Sequence, residues 1–201
     1  MHMYYIYISM ESAVENHSNN TILCDKENVT LVKHDEHKYT ISLDSVNNNI
    51  NFRNIINFNL YTIMGTVNSK HIKSAEMIEQ ISDNEATFLF LFNALGADFG
   101  IPKKYMYLKT TSTILSDNII QYTSKSIEKD AIIKNKVKRY EEITCIDSTL
   151  TIKLHNNSNI HLDYYFNIDI HEDLPIFARN LIGFIMKKIF LNLKSFIENI
   201  K

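Results

Sequence analysis

Residues that cross-link, break or rigidify a chain are scarce in this sequence. Its 201 residues include no tryptophan, two cysteines, two prolines and four glycines. Cys24 and Cys145 are not closely spaced, so they form neither a disulfide framework nor a zinc-binding motif. We therefore expect both thiols to be reduced and buried.

Long apolar segments are also missing. A membrane-spanning helix needs about 20 consecutive apolar residues, and charged side chains interrupt the nearest candidate, residues 176–200. A basic amphipathic helix on a membrane surface is the alternative for that segment. Residues 1–8 are too short and polar for the apolar core of a signal peptide. We expect a cytoplasmic protein that starts at Met1 or at Met10.

Neither sign of charge is in excess. The formal net charge is −2 and the sequence pI is near 6.4. Nucleic-acid binding relies on excess lysine and arginine, so we expect no nucleic-acid partner. The hydrophobic fraction of 45% and the charged fraction of 22% are typical of folded proteins. We expect a poorly ordered lead-in at residues 1–20 and a single domain at residues 21–201, of unspecified oligomeric state.

Motifs for catalysis and cofactor binding are absent. The sequence contains no GxGxxG, GxxxxGK or GxSxG segment, so we expect no catalytic residues, no cofactor and no enzyme activity. The alternative is an enzyme of the cyclase or hydrolase kind. Its candidates for acid–base chemistry are Glu141, Glu142 and His155, although an exposed strand end explains these residues more simply.

Histidines and aspartates offer the only candidates for a metal site. They form two sets, His34 with His37, and His161 with Asp163 and His171. Neither set has a recognised ligand spacing. We expect no bound metal.

The most regular pattern of the chain is near its end. At residues 159–170, apolar side chains alternate strictly with more polar ones, which predicts a strand with one buried face. From Leu174-Pro175 to Lys201, no proline interrupts an apolar pattern with helical spacing. This predicts one long C-terminal helix.

Other strands and one more helix precede this unit. We predict short strands at residues 21–24, 29–33 and 38–43, and a helix at residues 51–64 with Gly65 as its C-cap. Six later strands are predicted at residues 72–80, 85–95, 104–115, 119–127, 137–147 and 159–170. Residues 149–154 either extend the fifth of these strands or pair locally. Short polar turns join antiparallel neighbours among them.

The predicted sheet has one solvent-exposed face and one apolar face, and an apolar helix follows it in the sequence. These properties indicate how the sheet and the helix pack together. The helix needs a large concave surface, and the sheet needs a cover for its apolar face. We therefore predict an α+β fold in which a curved antiparallel sheet wraps around the long C-terminal helix, the helix-grip architecture.

Three segments carry a family resemblance. Residues 100–109, GIPKKYMYLK, form a strand opening with a proline and end in a basic residue. Residues 137–140, VKRY, form a valine-x-arginine strand start, and residues 167–170, NIDI, precede Leu174-Pro175. In this order and spacing they resemble the START (StAR-related lipid-transfer) domains of the helix-grip, Bet v 1-like superfamily.

The resemblance implies binding, and transfer between membranes, of a lipid or another hydrophobic molecule in an internal tunnel. The chain departs from the family pattern at Lys104, where relatives have an acidic residue, so we expect no local ion pair there. In cholesterol-type relatives a buried arginine faces a carboxylate, and those positions fall on Lys109 and Phe90 here. A lysine without its acid in an apolar tunnel is unfavourable, which weakens sterol as the ligand.

Candidate ligand-binding residues lie on two neighbouring strands. Phe88, Phe90 and Phe92 share one face, with ligand contact or plain core packing as alternatives. A second set shares one face of the next strand and either lines the tunnel or forms an outer aromatic surface. This set is Tyr105, Tyr107 and Lys109.

Further candidates come from the last strands, the C-terminal helix and one loop. The strand and helix candidates are Arg139, Tyr164, Phe166, Ile182, Ile185, Met186 and Ile189. The loop at residues 128–136 matches the position of the family's lid loop and carries Ile132 and Ile133 among lysines, which suits contact with an anionic membrane. Alternatively, these isoleucines tuck back into the protein. A third function, a protein-interaction module without a ligand, is favoured if Phe and Tyr fill the interior.

Overall fold

The structure, a computed structural model, describes residues 20–26, 28–93, 101–171 and 180–201. The predicted helix start at Leu174-Pro175 and all but Asn20 of the predicted lead-in lie outside these residues. The strands are β1 (Thr21–Lys26), β2 (Val29–Lys33), β3 (Lys38–Val46), β4 (Ile72–Ser82), β5 (Glu85–Phe92), β6 (Lys104–Ser116), β7 (Ile119–Ser126), β8 (Glu141–Glu142), β9 (Thr144–Asn156) and β10 (Asn159–Asp169). The helices are α1 (Phe52–Ile55), α2 (Asn59–Val67), α3 (Ala131–Val137) and α4 (Leu181–Glu198).

The described strands form one sheet in the order β1-β2-β3-β10-β9-β7-β6-β5-β4, and β8 pairs with β6 in parallel. All other pairs are antiparallel. The predicted alternation along β10 is confirmed, because one face is buried and the other is partly exposed. The buried face carries Ile160, Leu162, Phe166 and Ile168.

Helix α4 covers the inner face of this sheet with an apolar stripe. Its buried residues recur every three or four positions and include Ile182, Met186, Ile189, Phe190, Leu193 and Ile197. The Asn47 side chain donates to the carbonyls of Ile197 at 2.7 Å and Ile200 at 2.9 Å. The Asn68 amide donates to the Ile189 carbonyl at 3.1 Å. The predicted α+β, helix-grip architecture is confirmed. The hydrogen bonds from Asn47 and Asn68 connect its C-terminal helix to the rest of the fold.

The segment predicted as one helix at residues 51–64 forms two. Helix α1 ends at Ile55, and the backbone of Ile56 leaves the helical region at φ −80° and ψ 87°. Helix α2 then starts at Asn59, whose N–H donates to Asn57 Oδ1 at 2.8 Å. Asparagine side chains compete in this way with helical hydrogen bonds, which explains the break. Gly65 lies inside α2 and is not its cap.

The predicted strand at residues 137–147 is wrong over residues 137–140, and the rest is divided between β8 and the start of β9. Val137 ends helix α3, and β9 begins only at Thr144 and includes residues 149–154. The Asp130 carboxylate accepts from the Ile133 N–H at 2.8 Å and caps α3. Helix α3 therefore occupies most of the predicted loop at residues 128–136, and this cap explains where it begins.

The two cysteines are both free thiols. Cys145 is buried, and burial raises the pKa of its thiol to about 11. Cys24 is only half-buried. The expectation of two reduced, buried thiols therefore applies fully to Cys145 alone.

Gly65 lies where α2 packs against β4. A Cβ atom at this position would lie 2.4 Å from the Cβ of Ala75 and 3.2 Å from its backbone nitrogen. We expect Gly65→Ala to lower the free energy of unfolding by about 1–3 kcal/mol through overpacking, despite alanine's better helix propensity. Urea unfolding measures this change. Thr62→Ala, on the exposed side of the same helix, should change stability by less than about 0.5 kcal/mol, and an equally small effect of Gly65→Ala would contradict the close packing.

Candidate ligand cavity

An apolar cavity lies between α2, α4 and the inner face of the sheet. Its lining residues are Tyr61, Met64, Ile72, Phe90, Phe92, Met106, Leu108, Ser124, Leu150, Tyr164, Met186, Ile189 and Phe190. The cavity volume is about 30 Å³. One water molecule needs roughly 10–15 Å³ of such space, and pockets for drug-sized ligands measure about 300–1,000 Å³. In this conformation the interior is therefore nearly filled.

Strand β5 supplies an aromatic wall. Phe90 and Phe92 line the cavity, with ring centroids 6.4 Å apart. Phe88 lies in the core behind them and stacks on Tyr61 at 4.7 Å between centroids. The structure thus places all three predicted phenylalanines on the inner face and two of them at the cavity.

Strand β10 and helix α4 contribute three of the predicted residues to the cavity lining: Tyr164, Met186 and Ile189. Tyr164 stacks on Phe190 at 4.7 Å between ring centroids, which joins β10 to α4. The other predicted residues of these elements belong to the surrounding core or pack against it without lining the cavity. They are Phe166, Ile182 and Ile185.

Strand β6 presents the opposite face to the one expected. Met106 and Leu108 line the cavity, so Tyr105, Tyr107 and Lys109 lie on the outer face. The two tyrosines pack in a second apolar cluster beneath α3, and Lys109 pairs with Glu85 at 2.9 Å. Of the two possibilities for this set, a tunnel lining and an outer aromatic surface, the structure has the outer surface. The apolar pattern misleads at this strand because α3 buries part of its outer face.

Lys104 is buried and forms an ion pair with a residue distant in the sequence, whereas our expectation concerned only a local ion pair. Its side chain is 1% exposed, and its Nζ donates to Glu141 Oε2 and to the Ile170 carbonyl, both at 3.0 Å. The carboxylate comes from β8, which is distant in the sequence and adjacent in space. The residues next to Lys104 in the sequence could not indicate that Glu141 is its partner.

A second lysine ties the start of the α3 segment to β8. Lys129 donates to Glu142 and to the Tyr105 hydroxyl, and that hydroxyl donates to Glu142 Oε2 at 2.8 Å. Burial acts to raise the pKa of Glu142, but the hydrogen bonds from Lys129 and Tyr105 outweigh it and lower this pKa. Glu141 and Glu142 are thus engaged in ion pairs with lysines, and neither lines the cavity.

The lid candidates divide between the two alternatives. Both isoleucines belong to α3. Ile133 is 1% exposed and packs in the cluster with Tyr105 and Tyr107, whereas Ile132 is 70% exposed and points away from the core. Arg139 lies exposed in the turn after α3, so its predicted contact with a ligand in the interior is not supported. It lies outside because the chain turns at residues 138–140, directly after α3, where a strand was expected to carry it inward.

Several lining residues were missed by reasoning from the sequence. Tyr61 and Met64 come from α2, for which the sequence indicated no contact with a ligand. Alternation along β6 would have placed Met106 and Leu108 at the cavity if Tyr105 had been assigned to the outer face. The sequence contained less indication that Ser124, Leu150 and Phe190 line the cavity, because they look like ordinary strand or helix residues.

The described lining of the cavity contains no carboxylate, imidazole, amine or guanidinium group. Its polar atoms belong to Tyr61, Ser124 and Tyr164, and burial raises the pKa of both phenols well above its usual value. Within the described ranges, no cluster of His, Cys, Asp and Glu is suited to a metal ion. Instead, His161 pairs with Asp44 at 2.8 Å and with Asp163 at 3.0 Å. The described lining of the cavity is therefore almost entirely apolar.

No family model and no curated protein matches this chain. Solved structures do match. The human StarD13 lipid transfer and protein localization domain has a TM-score of 0.68 and 10% identity, with 91% of each chain covered. Human StAR-related lipid transfer protein 5 has a TM-score of 0.61 and 11% identity, covering 90% of this chain and 89% of that one. A STAR-related lipid transfer protein from Xanthomonas axonopodis has a TM-score of 0.63 and 8% identity, covering 89% and 98%.

These likenesses define the class of fold. The chain has the START fold, as the three sequence segments implied, and the similarity at such low identity concerns the fold alone. No helix among the described residues is long and apolar enough to cross a membrane.

Proposed function

We propose that this protein binds a lipid or another hydrophobic molecule between α4 and the sheet. The observation that carries the proposal is the apolar cavity beneath α4, with Met64, Met106 and Met186 in its lining. Methionine side chains are flexible and polarizable, so they can repack around ligands of different shape. The START fold, which this chain shares with proteins named for lipid transfer, supports the proposal by analogy.

Binding on this scale requires the interior to expand. A cavity of about 30 Å³ holds no lipid chain, so α4 must lift from the sheet or the methionines must change rotamers. Burial of the ligand's apolar surface, at about 25 cal/mol per Å², would drive this expansion. The hydrogen bonds from Asn47 and Asn68 to α4 are among the contacts that such a movement would strain or break.

We also propose that this protein is cytoplasmic and that its helix α3 contacts membrane surfaces when the ligand is taken up or released. Ile132 is exposed, and Lys134 and Lys138 beside it are exposed as well. Each lysine near an anionic surface contributes about 1 kcal/mol of attraction. An inserted isoleucine adds about 1.5–3 kcal/mol.

Substitution of Ile132 tests this contact. We expect Ile132→Glu to weaken binding to phosphatidylcholine vesicles containing phosphatidylserine about tenfold or more, because apolar burial is lost and repulsion is added. Vesicle co-sedimentation measures the change. Ile22→Glu, at a similarly exposed isoleucine on β1, is the control. Equal effects of both variants would contradict a specific role for α3.

A second candidate function has its own observation. The interior is nearly filled by aromatic side chains, among them Tyr61, Phe88 and Phe90. This packing favours a protein-interaction module that carries no ligand. The outer surface, rather than the cavity, would then hold the functional residues.

Mass spectrometry of the organic extract from gently purified protein separates these candidates. If the protein binds a hydrophobic ligand, the extract should contain one dominant hydrophobic species in near-stoichiometric amount. An extract without such a species, together with no uptake of added lipid by the purified protein, would favour the interaction module.

A further inference from the structure

A row of hydroxyl groups crosses the otherwise apolar inner face of the sheet. Thr110 on β6 lies opposite Ser124 on β7, and Ser124 lies opposite Ser148 on β9. The Thr110 and Ser124 hydroxyls are 2.9 Å apart and hydrogen-bonded. All three side chains are buried. We call Thr110, Ser124 and Ser148 the hydroxyl row.

Two phenols extend the hydroxyl row toward the cavity. Tyr61, from α2, has its hydroxyl near Ser124 and Thr110, and Tyr164, from β10, has its hydroxyl near Ser148. Tyr61, Tyr164 and Ser124 line the cavity itself. Hydroxyl groups both donate and accept hydrogen bonds, so this end of the cavity can satisfy a donor or an acceptor of a ligand.

No charged group faces this end of the cavity from the described residues. Lys104 is engaged by Glu141, and Lys109 lies on the outer face with Glu85. The neighbouring Cys145 thiol is neutral, because burial raises its pKa to about 11. A buried ion without a counter-ion is far less stable than a buried, hydrogen-bonded hydroxyl. A ligand carrying a carboxylate, a phosphate or an ammonium group would therefore be unpaired here.

We propose that the hydroxyl row and its two tyrosines select a neutral hydrophobic ligand that carries a hydroxyl or carbonyl group. The inference rests on the proposed function, since it assigns the chemical class of the molecule that the cavity binds. The apolar part of that molecule contacts the methionines and phenylalanines. Its polar end lies at Ser124, between Tyr61 and Tyr164.

A matched pair of probes tests the selection. Decanol and decanoate have the same chain length, and at about pH 8 the carboxylic acid is ionised. Isothermal titration calorimetry on the full chain should show that decanol binds at least about tenfold more tightly than decanoate, because only the acid buries a charge. Ser124→Ala should weaken decanol binding about three- to tenfold, the usual effect of losing one hydrogen bond.

Ser45→Ala is the matched control. Ser45 is a buried serine on β3 that does not line the cavity, so its removal should leave decanol binding unchanged. Equal binding of decanol and decanoate by the wild type would overturn the selection of neutral ligands while leaving the proposed function standing. Binding of neither probe would contradict the proposed function, and the inference with it.

Discussion

Phe90→Asp is expected to unfold the protein. Phe90 is 4% exposed, and its ring packs against Phe88, Phe92 and Tyr61 at centroid distances of 6.5, 6.4 and 6.2 Å. Loss of a buried phenylalanine removes about 3–5 kcal/mol, and an unpaired buried carboxylate removes several more. Together these losses match the entire stability of a typical domain, about 5–15 kcal/mol.

Circular dichroism during heating measures this outcome, and Phe184→Asp provides the control. Phe184 lies on α4 with 46% of its surface exposed, so the same substitution there should leave a cooperative transition near that of the wild type. In a cavity of about 30 Å³ the new carboxylate would meet little water, which is why we expect unfolding and not only a loss of ligand uptake. A stable, folded Phe90→Asp variant would show that the interior is larger and better hydrated than the cavity volume indicates.

Met186→Ala is expected to lower the free energy of unfolding by about 2–5 kcal/mol and to enlarge the cavity. Met186 projects from α4 into the cavity lining, which is otherwise formed mainly by apolar side chains. Enlarged apolar cavities bind small apolar molecules such as benzene. Saturating benzene should therefore raise the thermal midpoint of the variant more than that of the wild type, because a ligand of the folded state stabilises it.

Met77→Ala is the matched control for this experiment. Met77 lies on the edge strand β4 with 39% of its surface exposed, so its truncation should change stability by less than about 0.5 kcal/mol. It should also leave the response to benzene unchanged. If Met186→Ala behaved like Met77→Ala in both respects, the cavity beneath α4 would not be the adaptable site that we propose.

The regular parts of the fold could be predicted because their patterns are complete within one segment. The alternation along β10 can be recognised without knowing which strands pair with it. The structure agrees at Ile160, Leu162, Phe166 and Ile168, although Asn167 on the other face is buried as well. The apolar spacing of α4 is equally local. The break in the helix predicted at residues 51–64 could not be seen in its apolar pattern, because it depends on the backbone turn at Ile56 and on the Asn57 side chain, which accepts from the first N–H of α2.

The candidate site was harder to predict because the packing of segments distant in the sequence determines which side chains line the cavity. On β6 the apolar pattern is nearly continuous, and only the position of α3 over Tyr105 and Tyr107 shows which face is outside. Lys104 likewise finds its acid on β8. The volume of the cavity depends on how all the elements fit together, so the sequence left an open tunnel and a filled core as equal alternatives.

The methionine methyl groups offer the most direct test that a hydrophobic ligand binds beneath α4. Met64, Met106 and Met186 line the cavity, whereas Met77 is exposed on β4. With isotopically labelled methionine, NMR spectra recorded during titration with decanol should show shifts of those three methyl resonances and none at Met77. Unchanged resonances of the three cavity methionines, or a shift confined to Met77, would contradict binding in the interior.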